Sequence, residues 1–271
     1  MMAMEEKVSM IAVSKKMPLT LLNILLFLYL LAPLIVVVWI SFGKAAYPQF
    51  PPEAYSLKWY ANFFQNEQFI QSLITSVQVA VWTTGFALVI GVPLSVALVH
   101  HKFPGSHFLN ILSMSPILFP AVIIGIALMI FFGRIHLSHS FASLVFAHVV
   151  MALPFAVRLV STSLYGVGRS IEEASLNLGA SRLKTFFFIT LPLIKPGIVA
   201  GGIFSFFISF DEVTITLFLA GPRTTTLPIR LYTFIEYSSE PTIAAASAFM
   251  ILVALCIGVP VGWKFLGITK R

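Results

Sequence analysis

Leu30-Leu31-Ala32-Pro33-Leu34-Ile35-Val36-Val37-Val38 is apolar on all sides, with neither the alternation of a half-buried strand nor the single stripe of a surface helix. Such a run needs an apolar surrounding over its whole circumference. Extended outward it covers residues 17–42, and about 20 apolar residues suffice for a helix to cross a hydrocarbon core. The run is too long for a signal-peptide core, and no small-x-small site follows it cleanly, so it reads as an uncleaved anchor. Five further runs of spanning length lie at about 70–99, 108–132, 141–162, 193–219 and 244–266. Lipid admits helices and closed barrels, and barrel alternation is absent here. The expectation is an all-α integral membrane protein with about six transmembrane helices. It comprises an N-terminal segment 1–16, a transmembrane domain 17–266 with a polar loop at 163–192, and a tail 267–271.

Composition agrees. Of 271 residues, 58% are hydrophobic and only 10% are charged, with a mean hydropathy of +0.96. A soluble domain of this size could not hide so much apolar surface. The net charge of +7 does not point to nucleic acid, because the basic residues are spread among loops instead of gathered on one face. Twelve of the seventeen Lys and Arg residues fall on one side of the predicted spans, among them Lys15, Lys16, Lys102, Arg169, Arg182 and Lys184. The other five are Lys44, Lys58, Arg134, Arg223 and Arg230. That bias predicts both termini and the 163–192 loop in the cytoplasm. The lone Cys256 sits in the last apolar run, where it has no partner for an intrachain disulfide.

No catalytic set is visible. There is no glycine-rich loop ending in Gly-Lys-Ser/Thr and no Gly-x-Ser-x-Gly elbow. His100, His101 and His107 flank one loop, and His136 and His139 share another. Without a nearby Cys or carboxylate to complete a metal set, they read as solvated loop histidines.

The polar loop carries the most specific pattern: Glu173-Ala174-Ser175, then Gly179, then Ile189-Thr190-Leu191-Pro192. Locally, Glu172 and Glu173 open a short helix, where carboxylates favour the macrodipole, and Gly179 closes it. A second element then runs into the fifth span. In spacing the loop closely resembles the coupling loop of bacterial ABC-importer permeases, with Ser175 in place of an alanine. Ser56-Leu57-Lys58-Trp59-Tyr60, Ser209-Phe210-Asp211-Glu212-Val213 and Phe218-Leu219-Ala220-Gly221-Pro222 with Thr226-Leu227-Pro228 are similar to segments of the spermidine/putrescine branch and its opine and aminophosphonate relatives. The second acidic position often holds Asp in that branch, so Glu212 departs from it.

The resemblance implies the type I ABC-importer permease fold and a chain that is not itself an enzyme. It carries the docking role onto Glu173, Ala174, Ser175, Gly179, Ile189, Leu191 and Pro192. It also implies a bacterial inner-membrane machine with a second permease subunit, two ABC ATPase subunits and a periplasmic substrate-binding protein. This chain would bind no cofactor, ATP and Mg residing on the ATPases. The cargo would be polyamine-like, or else an opine, an aminophosphonate or another small solute. A secondary carrier or a gated channel is the alternative class; neither needs such a loop.

Asp211 and Glu212 lie inside the fifth span, Asp211 about 21 Å along the helix from Gly197 at about 1.5 Å per residue. Ser205, Ser209, Glu212 and Thr216 follow helical spacing and predict one polar stripe, with Asp211 on an adjoining face. Together they form a candidate translocation path for a cation. An arginine such as Arg223 or Arg158 could equally neutralise the pair. Residues 47–69 predict an interfacial helix or a contact for the binding protein, and 221–228 a loop or re-entrant hairpin.

Overall fold

The computed structural model describes residues 2–265 apart from 102 and 239, and side chains from Thr20 onward save those of 261, 264 and 265. The expected tail 267–271 lies outside the described residues, as do Lys102 and the side chains of segment 1–16. Helices account for nearly all of the described chain, with a single bridge between Gly43 and Tyr55 as the extended pairing among the described residues.

The chain divides into two compact units. One runs to Gln65 and resumes at Tyr237–Val253. It holds α1 (Met2–Ser41) and α2 (Lys58–Gln65). The side chains of Leu21–Leu31 in α1 are exposed, as expected of a helix that packs against lipid or another subunit. Within 47–69 the chain forms a helix, α2, with Trp59 and Phe63 buried and Lys58 Nζ 4.6 Å from the Trp59 ring. Ser41 Oγ and Tyr60 OH, 2.7 Å apart, tie the end of α1 to α2.

The second unit spans Asn66–Glu236 and continues from Ala254. Its centre is the packing of α3 (Glu67–His100), α6 (Phe141–Tyr165) and α10 (Lys195–Phe210). Small residues bring these backbones together, the usual device where lipid supplies no hydrophobic drive between helices. Ala87, Ala152 and Ala156 are fully buried. A Cβ on Gly201 would lie 3.3 Å from Ala156 Cα, and one on Gly197 only 2.9 Å from the Leu159 carbonyl oxygen. Ser95 Oγ donates to Val157 O across the α3–α6 contact at 3.0 Å.

Two of the expected spans are broken. The run 108–132 divides into α4 (Ser106–Leu118) and α5 (Ala121–Arg134), which meet at 107°. Pro120 drives Phe119 into extended backbone, at φ −99° and ψ 143°, as the residue before a proline prefers. The run 193–219 divides into α10 and α11 (Thr214–Leu219), separated by Asp211-Glu212-Val213. The 221–228 segment is a short turn, in which the Thr224 hydroxyl accepts the Gly221 N–H at 2.8 Å, and it leads into α12 (Leu227–Tyr237). The last helix is α13 (Thr242–Phe265).

Candidate functional site

The polar loop folds as three short pieces: α7 (Arg169–Asn177), α8 (Arg182–Thr185) and a π-helical turn, Phe186–Thr190, which runs into α9 (Leu191–Leu193). The α7 helix begins at Arg169, so Glu172 lies at the end of its first turn and Glu173 beyond it. The sequence-based start at the two carboxylates is therefore several residues late. Its end is a Schellman motif, with Gly179 N–H donating to Leu176 O at 2.9 Å and Ala180 N–H to Ser175 O at 3.2 Å. Gly179 has φ +88°, and nothing lies within 4 Å of where its Cβ would be. What glycine supplies there is conformation, since the space is open. Ser181 then caps α8 by accepting the Lys184 N–H at 3.3 Å.

Four contacts fasten this loop. Helix α3 has 34 residues, about 51 Å at 1.5 Å each, so it overruns a core of about 30 Å and its end reaches the loop. There His100 Nδ1 sits 3.1 Å from Glu172 Oε2. Thr190 Oγ1 donates to the other carboxylate oxygen of Glu172, and Arg169 donates to the His100 carbonyl. Ser175 Oγ and Thr185 Oγ1, 3.0 Å apart, close α7 onto α8. The expectation of a solvated His100 is thus corrected: its side chain is only 8% exposed and belongs to the loop's anchor. His139 is also engaged, its Nδ1 lying 3.1 Å from Ala220 O. Glu173, Ala174 and Gly179 remain exposed, whereas Ser175, Ile189 and Leu191 are half-buried and Pro192 is exposed. Leu178 and Leu183, on either side of the turn, are 89% and 72% exposed.

The second site surrounds the break in the fifth span. Here the continuous stripe expected from the sequence is interrupted. Ser205, Ser209 and Thr216 are buried, Glu212 is half-buried and Asp211 is exposed. Glu212 acts as a local cap, its carboxylate accepting the Ile215 N–H at 2.9 Å and starting α11 beyond the break. Ser205 Oγ lies 3.5 Å from Ala152 O on α6.

His148, absent from the sequence-based site, holds the other two hydroxyls. It is fully buried on α6, with Nδ1 2.8 Å from Ser209 Oγ and Nε2 2.9 Å from Thr216 Oγ1. The Thr216 hydroxyl already donates to Glu212 O at 2.8 Å. It can therefore only accept from the ring, which puts the proton of a neutral imidazole on Nε2 and leaves Nδ1 to accept from Ser209. One ring thus pins the helix ends on both sides of the Asp211 break. A titratable residue in the middle of the long apolar run 141–162 was the signal that could have found it.

Residues 85–263 match the family described as binding-protein-dependent transport system inner membrane component. The spermidine/putrescine transport system permease protein PotC of Escherichia coli is 29% identical over 230 residues, 85% of this chain and 87% of its own length. The putrescine transport system permease protein PotI of the same species is 30% identical over 254 residues, 90% of this chain and 89% of its own. The fold is that of a solved bacterial ABC transporter involved in the import of the acidic polysaccharide alginate. The TM-score is 0.71 at 17% identity, covering 91% of this chain and 94% of that one.

Proposed function

Since the chain belongs to the family of binding-protein-dependent transport system inner membrane components, the permease subunits of ABC importers, we propose that it carries a small cationic amine of the polyamine kind. A periplasmic binding protein would deliver the amine. A second permease subunit would complete the channel, and two ABC ATPases would bind ATP and Mg below it. With both termini cytoplasmic, the 163–192 loop faces those ATPases. Exposed Glu173, Leu178 and Leu183 then form the docking surface, an apolar patch with one acidic group on a rigid support.

The observation that carries the cargo reading is Asp211. It ends α10 at a break within a membrane span, exposed from this chain. Among the described residues the ion pair found is His100–Glu172, so no described arginine is paired with Asp211. A carboxylate at membrane depth costs about 2.5–3.5 kcal/mol on insertion scales, which an ammonium group can offset in passing. Ser205, Ser209 and Thr216 back this position, and Glu212 keeps the break open.

Uptake of labelled putrescine and spermidine by the whole transporter tests this. Asp211→Asn is expected to lose roughly 10- to 100-fold in uptake efficiency, the weight of about 1.5–3 kcal/mol for a hydrogen bond to a charged group. Glu212→Gln, which still offers Ile215 an acceptor, should lose less. Undiminished uptake in Asp211→Asn, or a binding protein that ignores amines in favour of an anion or sugar, overturns the reading.

A further inference from the structure

A cavity of about 280 Å³ opens where the end of α3, the start of α4 and the end of α6 converge, on the side of the molecule that carries the coupling loop. Its polar lining includes Arg158, His107, Asn110, Ser161 and Tyr165, and its apolar wall is built from residues such as Met114. No carboxylate lines it. Arg158 is exposed and in no ion pair among the described residues. We propose that this cavity binds the phosphate of an anionic phospholipid headgroup from the membrane leaflet on the coupling-loop side.

The chemistry selects an anion with an apolar continuation. The Arg158 guanidinium offers a planar fork that suits phosphate oxygens. The His107 ring, the Asn110 amide and the Tyr165 and Ser161 hydroxyls can add further donors. A soluble anion would use this rim alone. A lipid would use the wall as well, its glycerol and first methylenes lying against Leu98, Val99 and Met114. Basic pockets between membrane helices on the cytoplasmic side are suited to anionic headgroups, which concentrate in that leaflet. An ammonium-bearing cargo is excluded by the uncompensated arginine, so the cavity is separate from the Asp211 site. The proposal holds whatever the cargo proves to be.

The test reconstitutes the whole transporter in nanodiscs of phosphatidylcholine alone or with phosphatidylglycerol, then counts retained lipids by native mass spectrometry after delipidation. The parent should retain phosphatidylglycerol, and Arg158→Gln should retain about fivefold less, the weight of one basic residue at an anionic surface. Arg158→Lys should recover part of the loss. Ser161→Leu, which fills the cavity without removing charge, should lose retention too, with unchanged melting in phosphatidylcholine discs. Arg223→Gln, at the other end of the unit, should match the parent. Equal retention by parent, Arg158→Gln and Ser161→Leu overturns the proposal. So does saturable binding of inorganic phosphate that displaces the lipid headgroup, which would make this a soluble-anion site. A dependence on Arg158 that appears only when the ATPase is present would assign the cavity to protein docking and overturn it as well.

Discussion

His100 at the end of α3 and Glu172 in the first turn of α7 are joined at 3.1 Å, so a membrane helix and the 163–192 loop share one fastening. Because Thr190 donates to the same carboxylate, Glu172 also holds the π-helical turn that leads into the fifth span. Under the proposed docking role, a push received at the loop would reach two membrane elements through this one side chain.

Glu172→Ala is expected to loosen this fastening by about 1–3 kcal/mol, the cost of leaving hydrogen-bonded partners unsatisfied. Insertion and abundance should stay near parental, because the spans are untouched, while uptake falls several-fold and ATP hydrolysis uncouples from transport. Glu172→Gln retains an acceptor for Thr190 and should fall between the two. Parental coupling in Glu172→Ala, measured as solute moved per ATP hydrolysed, would remove the fastening from the mechanism.

At Gly179 the backbone conformation sets the ranking of substitutions. An ordinary side chain at φ +88° costs roughly 1–2 kcal/mol, Asn less because it tolerates the left-handed region, and a β-branched residue most. The expected order of uptake is Gly, then Asn, then Ala, then Val. Since nothing crowds the position, a small side chain harms through strain alone. Uptake that follows side-chain volume with no advantage for Asn would point instead to a crowded docking contact.

His148→Leu removes both ring nitrogens from beneath the Asp211 break. Hydrogen bonds between membrane helices average about 0.6 kcal/mol, so the two together are expected to contribute on the order of 1 kcal/mol. The reading is the unfolding midpoint, alone and in a double-mutant cycle with Thr216→Val. A coupling energy indistinguishable from zero in that cycle would mean that the ring and the hydroxyl act independently. Labelling of a cysteine at position 211 should also accelerate in His148→Leu, as the break loses its clamp.

Membrane orientation can be read with single cysteines in a Cys256→Ser background, since Cys256 is itself exposed. Glu53→Cys should react with an impermeant reagent added from outside, and Leu178→Cys only from the cytoplasm. The reverse pattern would invert the topology drawn from the lysines and arginines.

Several features depend on composition along a short stretch of chain, and these were legible without coordinates. The spanning runs follow from about 20 consecutive apolar residues, as the bilayer sorts a chain by hydropathy along one axis. The loop's ending at Gly179 is similarly local, because a Schellman motif is closed by bonds between near neighbours. Broken spans were less legible. Pro120 was available as a signal in the third run, but in the fifth the break at Asp211–Val213 keeps helical spacing in the letters while the backbone departs from it.

What only the tertiary structure decided is which polar groups meet. His148 finds Ser209 and Thr216 at 61 and 68 positions' distance, and His100 finds Glu172 through the overrun of a long helix. Each partner is chosen by helix packing, in which Gly197, Gly201 and Ala156 set how closely the backbones approach. Hydropathy and spacing carry no record of that approach. The sequence by itself therefore determined the membrane class, the apolar runs and the position of the polar loop along the chain. The packing of helices decided that Ser209 and Thr216 serve a buried histidine, that Glu172 anchors the loop, and that Asp211 is left exposed.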